Sequence, residues 1–218
     1  MINVRHAIWI KGVALALLAS MLAITLTGRS APEASAQTEA EAERAFPYMF
    51  TAPEDWRTEV VTFPLSFAPE LDYQGHGDVR FAPGMFAPET EDFWTYTFVW
   101  WLPSDANISA ERLSTDMNTY FTGLAKLVTR AGERELPEFP ASAVYTGDAE
   151  DDVLQGRIET LDAFATHSPI ALNSEVTQIK CPAHDRKAVL FAFSPKPKDH
   201  PNWAALGQIK ADFSCDRE

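Results

Sequence analysis

The stretch "GHGDVR", residues 75–80, concentrates the side chains best suited to chemistry. Spaced by two, His76, Asp78 and Arg80 fall on one face if the segment is extended. An imidazole beside a carboxylate can serve as a general base, because histidine titrates near neutrality and its neighbours move that titration. His76 and Asp78 are therefore the candidate catalytic pair of a small hydrolase, and Arg80 is a candidate ligand-binding residue. Gly75 and Gly77 would allow close backbone approach to a ligand. The competing reading is a plain polar turn leading into a strand through Val79 and Phe81.

Three further groups carry possible chemistry. Asp148, Glu150, Asp151 and Asp152 place oxygen ligands in one loop and could hold calcium. Their spacing is not that of an EF-hand, and a solvated acidic turn explains them as well. Trp101 lies opposite the aromatic face of its strand, beside Thr95 and Thr97, and could line a groove for an apolar or sugar-like ligand. Cys181 and Cys215 are the only two cysteines. In an exported chain an even cysteine count points to pairing. "CPAH" at 181–184 is half of a zinc motif at best, and no second ligand pair accompanies it. No metal and no cofactor is expected. The nucleophile elbow G-x-S-x-G, H-E-x-x-H, the Walker A loop and G-x-G-x-x-G are all absent from the sequence, which lowers the expectation of an enzyme without removing it.

The elements that must position these groups follow from periodicity. "EVVTFPLSF" (59–67) alternates, with Val61, Phe63, Leu65 and Phe67 on one face. Pro64 cannot donate a ladder hydrogen bond and marks an edge strand or a bulge. "FWTYTFVWWL" (93–102) is the strongest strand pattern, with Trp94, Tyr96, Phe98, Trp100 and Leu102 on one face, and reads as central. "SAVYTG" (142–147) and "LQGRIETLDAF" (154–164) are weaker strands around the acidic loop. "SEVTQIKC" (174–181) and "KAVLFAFS" (187–194) form a hairpin about "PAHDR". A long helix spans about 109–131, capped by Asn107 or Ser109 and stopped by Gly132. Its apolar stripe is Leu113, Met117, Tyr120, Phe121, Leu124, Leu127 and Val128. A shorter helix spans about 201–213, with Pro201 in its first turn and Trp203, Leu206, Ile209 and Phe213 as its stripe. Helices segregated from a run of hairpins predict an α+β domain, an antiparallel sheet with both helices packed on it. The aromatic face of 94–102 should lie under one or both helices, and a Cys181–Cys215 bond should tie the last helix to a strand. Trp56 and Trp203 read as closing the ends of the core, and His167, His184 and His200 as surface residues. The Phe-Ala-Pro triplets at Phe67, Phe81 and Phe86 keep no fixed period, which excludes a structural repeat.

The N-terminus addresses the compartment. Arg5 and Lys11 precede an uncharged apolar run at 12–28, and "ASA" at 34–36 offers the small residues of a cleavage site. Residues 1–36 therefore read as a secretory signal peptide cut between Ala36 and Gln37. Residues 37–45 read as a flexible acidic leader, and 46–218 as one domain. Cleavage leaves 182 residues and, by removing Arg5, Lys11, Arg29 and Glu33, moves the net charge from -13 to -15. So acidic a chain argues against nucleic acid and against charge-driven binding to anionic lipid. No membrane association is expected after cleavage, and the expected location is periplasmic or secreted.

The run "FAPELDYQGHGDVRFAPGMF", then "FWTYTFVWWL", "YFTGL" and the closing Trp203, Leu206, Ile209, Phe213 and Cys215 pattern resembles a group of exported bacterial proteins with no settled activity. That resemblance covers most of the chain after residue 36 and implies no catalytic residues. At the level of fold, a sheet ending in a helix with this tail is similar to PsbP/Mog1-like proteins, which implies binding of partners rather than catalysis; fold alone does not give function. The leading expectation is thus non-enzymatic binding of a protein partner or small ligand. An enzyme using His76 and Asp78, and a structural cell-envelope protein, are the alternatives.

Overall fold

The computed structural model describes residues 46–132, 141–147 and 152–217. The expected signal peptide, the acidic leader and most of the acidic loop lie outside the described residues; Asp152 is described, and its carbonyl accepts from Gln178 N at 2.9 Å. Seven strands, β1 (Arg57–Thr62), β2 (His76–Phe81), β3 (Tyr96–Pro103), β4 (Ser142–Thr146), β5 (Val153–Leu161), β6 (Pro169–Cys181) and β7 (Arg186–Ser194), are joined by α1 (Ala110–Ala131) and followed by α2 (Pro201–Ala211). They form one antiparallel sheet in the order β1-β2-β3-β7-β6-β5-β4. The α+β class is as expected.

Each face of the sheet has its own cover. On the first face Tyr96, Phe98 and Trp100 of β3 meet Phe191 and Phe193 of β7, with ring centroids 4.5 Å apart for Phe98–Phe191 and 4.6 Å for Trp100–Phe191. α1 closes this face through Leu113, Met117 and Phe121. Ser109 caps it by accepting from Arg112 N at 3.1 Å, satisfying one of the orphan amides of the first turn. On the second face Val99, Trp101, Ala188 and Leu190 lie beneath the segment Phe46–Phe50 and α2. The aromatic face of β3 therefore sits under α1, and α2 covers the opposite face. α2 and the N-terminal segment meet where Met49 and Ser214 form a two-bond bridge.

Several boundaries differ from expectation for local reasons. β1 stops at Thr62, ahead of the cis Phe63–Pro64 bond, so Leu65 and Phe67 reach the core from turns. β3 begins at Tyr96, because Trp94 adopts φ 52 and cannot continue a strand. β5 ends at Leu161, where the Asp162 carboxylate accepts from the amides of Phe164, Ala165 and Thr166 and bends the chain away. α2 ends at Ala211, which leaves Phe213 in the tail. In α1 the inward stripe runs through Asp116, Ala125 and Thr129, while Leu127 faces solvent at 44 % exposure. Cys181 at the end of β6 and Cys215 after α2 form a disulfide, tying the tail to the sheet. Among the described residues no helix is long and apolar enough to cross a membrane.

Candidate functional site: a groove under the C-terminal helix

From His76 onward "GHGDVR" is strand β2 rather than a turn, and His76, Asp78 and Arg80 share its second face as their spacing predicts. They converge, but within the protein's own packing. Asp78 and Arg80 are each 1 % exposed. The Arg80 guanidinium donates to both Asp78 carboxylate oxygens, with Nη2 at 3.2 Å from Oδ2. It also donates to the carbonyls of Val79 at 3.0 Å and Phe50 at 2.7 Å, and it lies 4.8 Å from the centre of the Phe50 ring. The Tyr48 hydroxyl donates to Asp78 Oδ2 at 3.4 Å and lies 2.8 Å from His76 Nε2. Both contacts are met when that nitrogen carries the proton. Phe46 stacks on the imidazole with centroids 4.0 Å apart. Burial, and secondarily the positive charge of Arg186, lowers the His76 pKa from 6.5 to about 4. At neutral pH this is an uncharged ring clamped beneath an N-terminal segment, and the cluster fastens that segment to β2.

The glycines and Trp101 belong to the same closure. Gly75 has φ 126, and a Cβ there would stand 2.0 Å from the Trp101 carbonyl oxygen. A Cβ on Gly77 would come within 2.9 Å of the Val61 side chain. What approaches these glycines is the protein itself. Trp101 is 4 % exposed and packs against Tyr48 at 4.8 Å, so it lines no open groove. His184 lies 2.9 Å from Asp216 Oδ1, and Cys181 beside it is held in the disulfide. Among the described residues no three of His, Cys, Asp and Glu converge on a metal-sized site.

The open space on this face lies farther along the sheet, between α2 and strands β5, β6 and β7. It is a groove of about 610 Å³, within the usual range for small-molecule sites. Its floor includes Glu175 and Thr177 of β6 and Leu190 of β7, and its wall is formed by Trp203, Ala204 and Gly207 of α2. Glu175 is the polar centre. Its Oε1 accepts from Lys210 Nζ at 2.6 Å; its Oε2 accepts from Gln155 Nε2 at 3.1 Å and lies 3.6 Å from Lys198 Nζ. Although burial acts to raise the Glu175 pKa, these donors and charges together hold it below the usual carboxylate value. Lys198 Nζ is also 3.3 Å from the centre of the Trp203 ring, a close cation–π contact. The Thr177 hydroxyl is buried in the floor with no hydrogen-bond partner.

The wall of the groove is set by local sequence. "SPKPKDHP", residues 194–201, contains three prolines, which restrict the loop before α2. The Lys196 carbonyl is held from two sides, by Trp203 Nε1 at 3.0 Å and Asn173 Nδ2 at 2.9 Å. His200 caps α2 by accepting from Asn202 N at 3.3 Å and lies 3.3 Å from Glu91, a structural role not anticipated for a lone loop histidine. Trp203 therefore belongs to a groove wall rather than to an end of the core, and its ring is fixed by the loop that carries Lys198.

A second groove of about 510 Å³ lies at the start of α1. Arg112 there is ion-paired to Asp72 at 2.6 Å and to Asp116 at 3.0 Å, and Tyr73 donates to Asp116 at 2.5 Å. Those contacts hold the charged groups to one another across the helix start.

Neither Glu175, Lys198, Lys210 nor Gly207 was singled out by sequence reasoning. Glu175 and Lys210 look like ordinary surface charges in the sequence. Beyond the chain itself, no protein-family model, no curated protein and no solved structure matches it.

Proposed function

We propose that this chain is an exported domain that binds a small ligand, without transforming it, in the groove between α2 and the sheet. One observation carries the reading: Gly207, in the interior of the 11-residue α2, lines the groove, and a Cβ added there would meet no atom within 4 Å. Glycine costs a helix interior roughly 1 kcal/mol relative to alanine. Here neither packing nor backbone conformation requires it. A glycine that stability disfavours and packing does not need is what a wall kept clear for a ligand would have, in line with the usual trade of stability for function.

The compartment reading is periplasmic or secreted. It is supported by the Cys181–Cys215 disulfide, since such bonds persist in oxidising compartments, and by the cleavage pattern ending at Ala36. Export with cleavage there leaves Gln37 as the first residue, which N-terminal sequencing of the exported protein would detect.

The binding reading is tested by native mass spectrometry of wild type and Gly207→Leu, both purified from the producing cell. Wild type should carry an added small-molecule mass that the variant, its groove filled, lacks. A ligand retained equally by both would place binding elsewhere.

A further inference from the structure

The placement of Lys198 and the shape of the groove together narrow the ligand, on the reading that this groove is the binding site. Glu175 is matched by Lys210, whose ammonium donates to it at 2.6 Å. Lys198 lies 3.6 Å from the same carboxylate, beyond good hydrogen-bond distance, on an oxygen that already accepts from Gln155. Lys198 therefore meets Glu175 only as a longer ion pair, and its three ammonium donors leave capacity for a further acceptor in the groove. Asp199 and His200 also line it; Asp199, like Lys198, is exposed, and His200 is engaged by Asn202 N and Glu91.

Lys198 covers the face of Trp203 at 3.3 Å. A sugar or a second cation would have to displace that ammonium before it could use the ring. An anion needs no such displacement, because it approaches the ammonium from the groove side. Ala204, Gly207, Leu190 and Ala192 of the wall and floor present apolar surface alongside the polar Thr97 and Thr177.

We propose that the groove takes a small amphiphilic monoanion, a carboxylate on an apolar body, with Lys198 holding the carboxylate and the Ala204–Gly207 side of α2 lying against the body. The chain's net charge of -13 repels anions at long range, so affinity must come from contacts within the groove. The loop supports this, because Trp203 Nε1 and Asn173 Nδ2 both hold the Lys196 carbonyl two residues before Lys198. A pre-positioned ammonium loses less freedom on binding.

The test is calorimetric titration of the exported protein with octanoate, octanamide and octylamine, which share a chain and differ in charge. Octanoate should bind about tenfold or more tightly than either of the others, as one charge-assisted hydrogen bond would give. Lys198→Met should remove that preference while leaving weak octanamide binding, and Lys198→Arg should keep most of it. Gly207→Leu should abolish binding of every chain. Octylamine binding as well as octanoate, octanoate failing to bind, or Lys198→Met leaving octanoate unaffected overturns the carboxylate assignment. In those cases Gly207→Leu separates the two claims. A ligand from cells that is still lost in that variant keeps the groove as the site, and one that is retained removes it.

Discussion

Two polar clusters share one face of the sheet, and they differ in how completely they are covered. Around β2, Asp78 and Arg80 are sealed beneath Tyr48 and Phe50, with both terminal guanidinium nitrogens directed at nearby acceptors. Under α2, Glu175 and its two lysines stay partly open to solvent, and one of the two ammoniums makes only a longer ion pair. The covers explain the contrast. An irregular segment such as 46–50 can follow the sheet closely and bring backbone carbonyls within reach of buried donors. A helix is a stiff cylinder about 10 Å across, and where its side chains are small, as at Ala204 and Gly207, it leaves a gap. Residue types alone made the β2 cluster look like the chemical site. Coverage assigns it to holding the fold and leaves the second cluster accessible.

If that contrast is right, the largest effect comes from breaking the sealed cluster. Asp78→Ala removes the carboxylate that both terminal nitrogens of the buried Arg80 guanidinium contact, and should cost about 3–5 kcal/mol in urea denaturation. A loss under about 1 kcal/mol would mean that the site is far wetter than its burial indicates. Almost as large is the effect of replacing both Cys181 and Cys215 by alanine. The closed loop spans 34 residues, for which chain entropy gives about 3–4 kcal/mol, again read from denaturation midpoints. The groove should lose its wall in this variant before the β2 cluster loosens, because Cys215 anchors the tail that follows α2; faster hydrogen exchange in 201–215 than in 76–81 would show it.

A smaller effect is pH-dependent. An unfolded histidine titrates near 6.5, whereas His76 in the fold titrates near 4. Between those values the unfolded chain binds a proton that the folded chain does not. The stability contributed by the neutral ring is therefore intact above about pH 6.5 and is lost as the pH falls toward 4. For a ring with some solvent access the loss should be about 1–2 kcal/mol. His76→Gln should flatten this part of the stability profile relative to wild type, and an unchanged slope would remove His76 as its source. The smallest effect has the opposite sign. Gly207→Ala should stabilise the protein by about 0.5–1 kcal/mol in thermal unfolding, since its methyl meets open space. Destabilisation there would show that the groove wall is already packed.

Most of the fold was legible because it rests on periodicities that local sequence carries. The alternation in 94–102, the Ser109 cap, the Gly132 stop and the Pro201 start all recur in the structure, displaced by a few residues where Trp94 and Asp162 turn the chain. The shared face of His76, Asp78 and Arg80 followed from their spacing, as the pairing of Cys181 with Cys215 followed from their number. Which cover would lie on that face was not readable. The residues that close it, Tyr48 and Phe50, precede Asp78 by 30 and 28 positions and carry no periodic signal. The groove was no more readable. Glu175 and Lys210 are brought together across 35 residues by the way β6 and α2 stack, and a gap is a property of two surfaces rather than of either sequence segment. Local sequence determined the strands, the helices and the sidedness of each, because those depend on neighbours in the chain. Tertiary packing alone decided which polar face is sealed and which is open, because burial depends on what arrives from elsewhere.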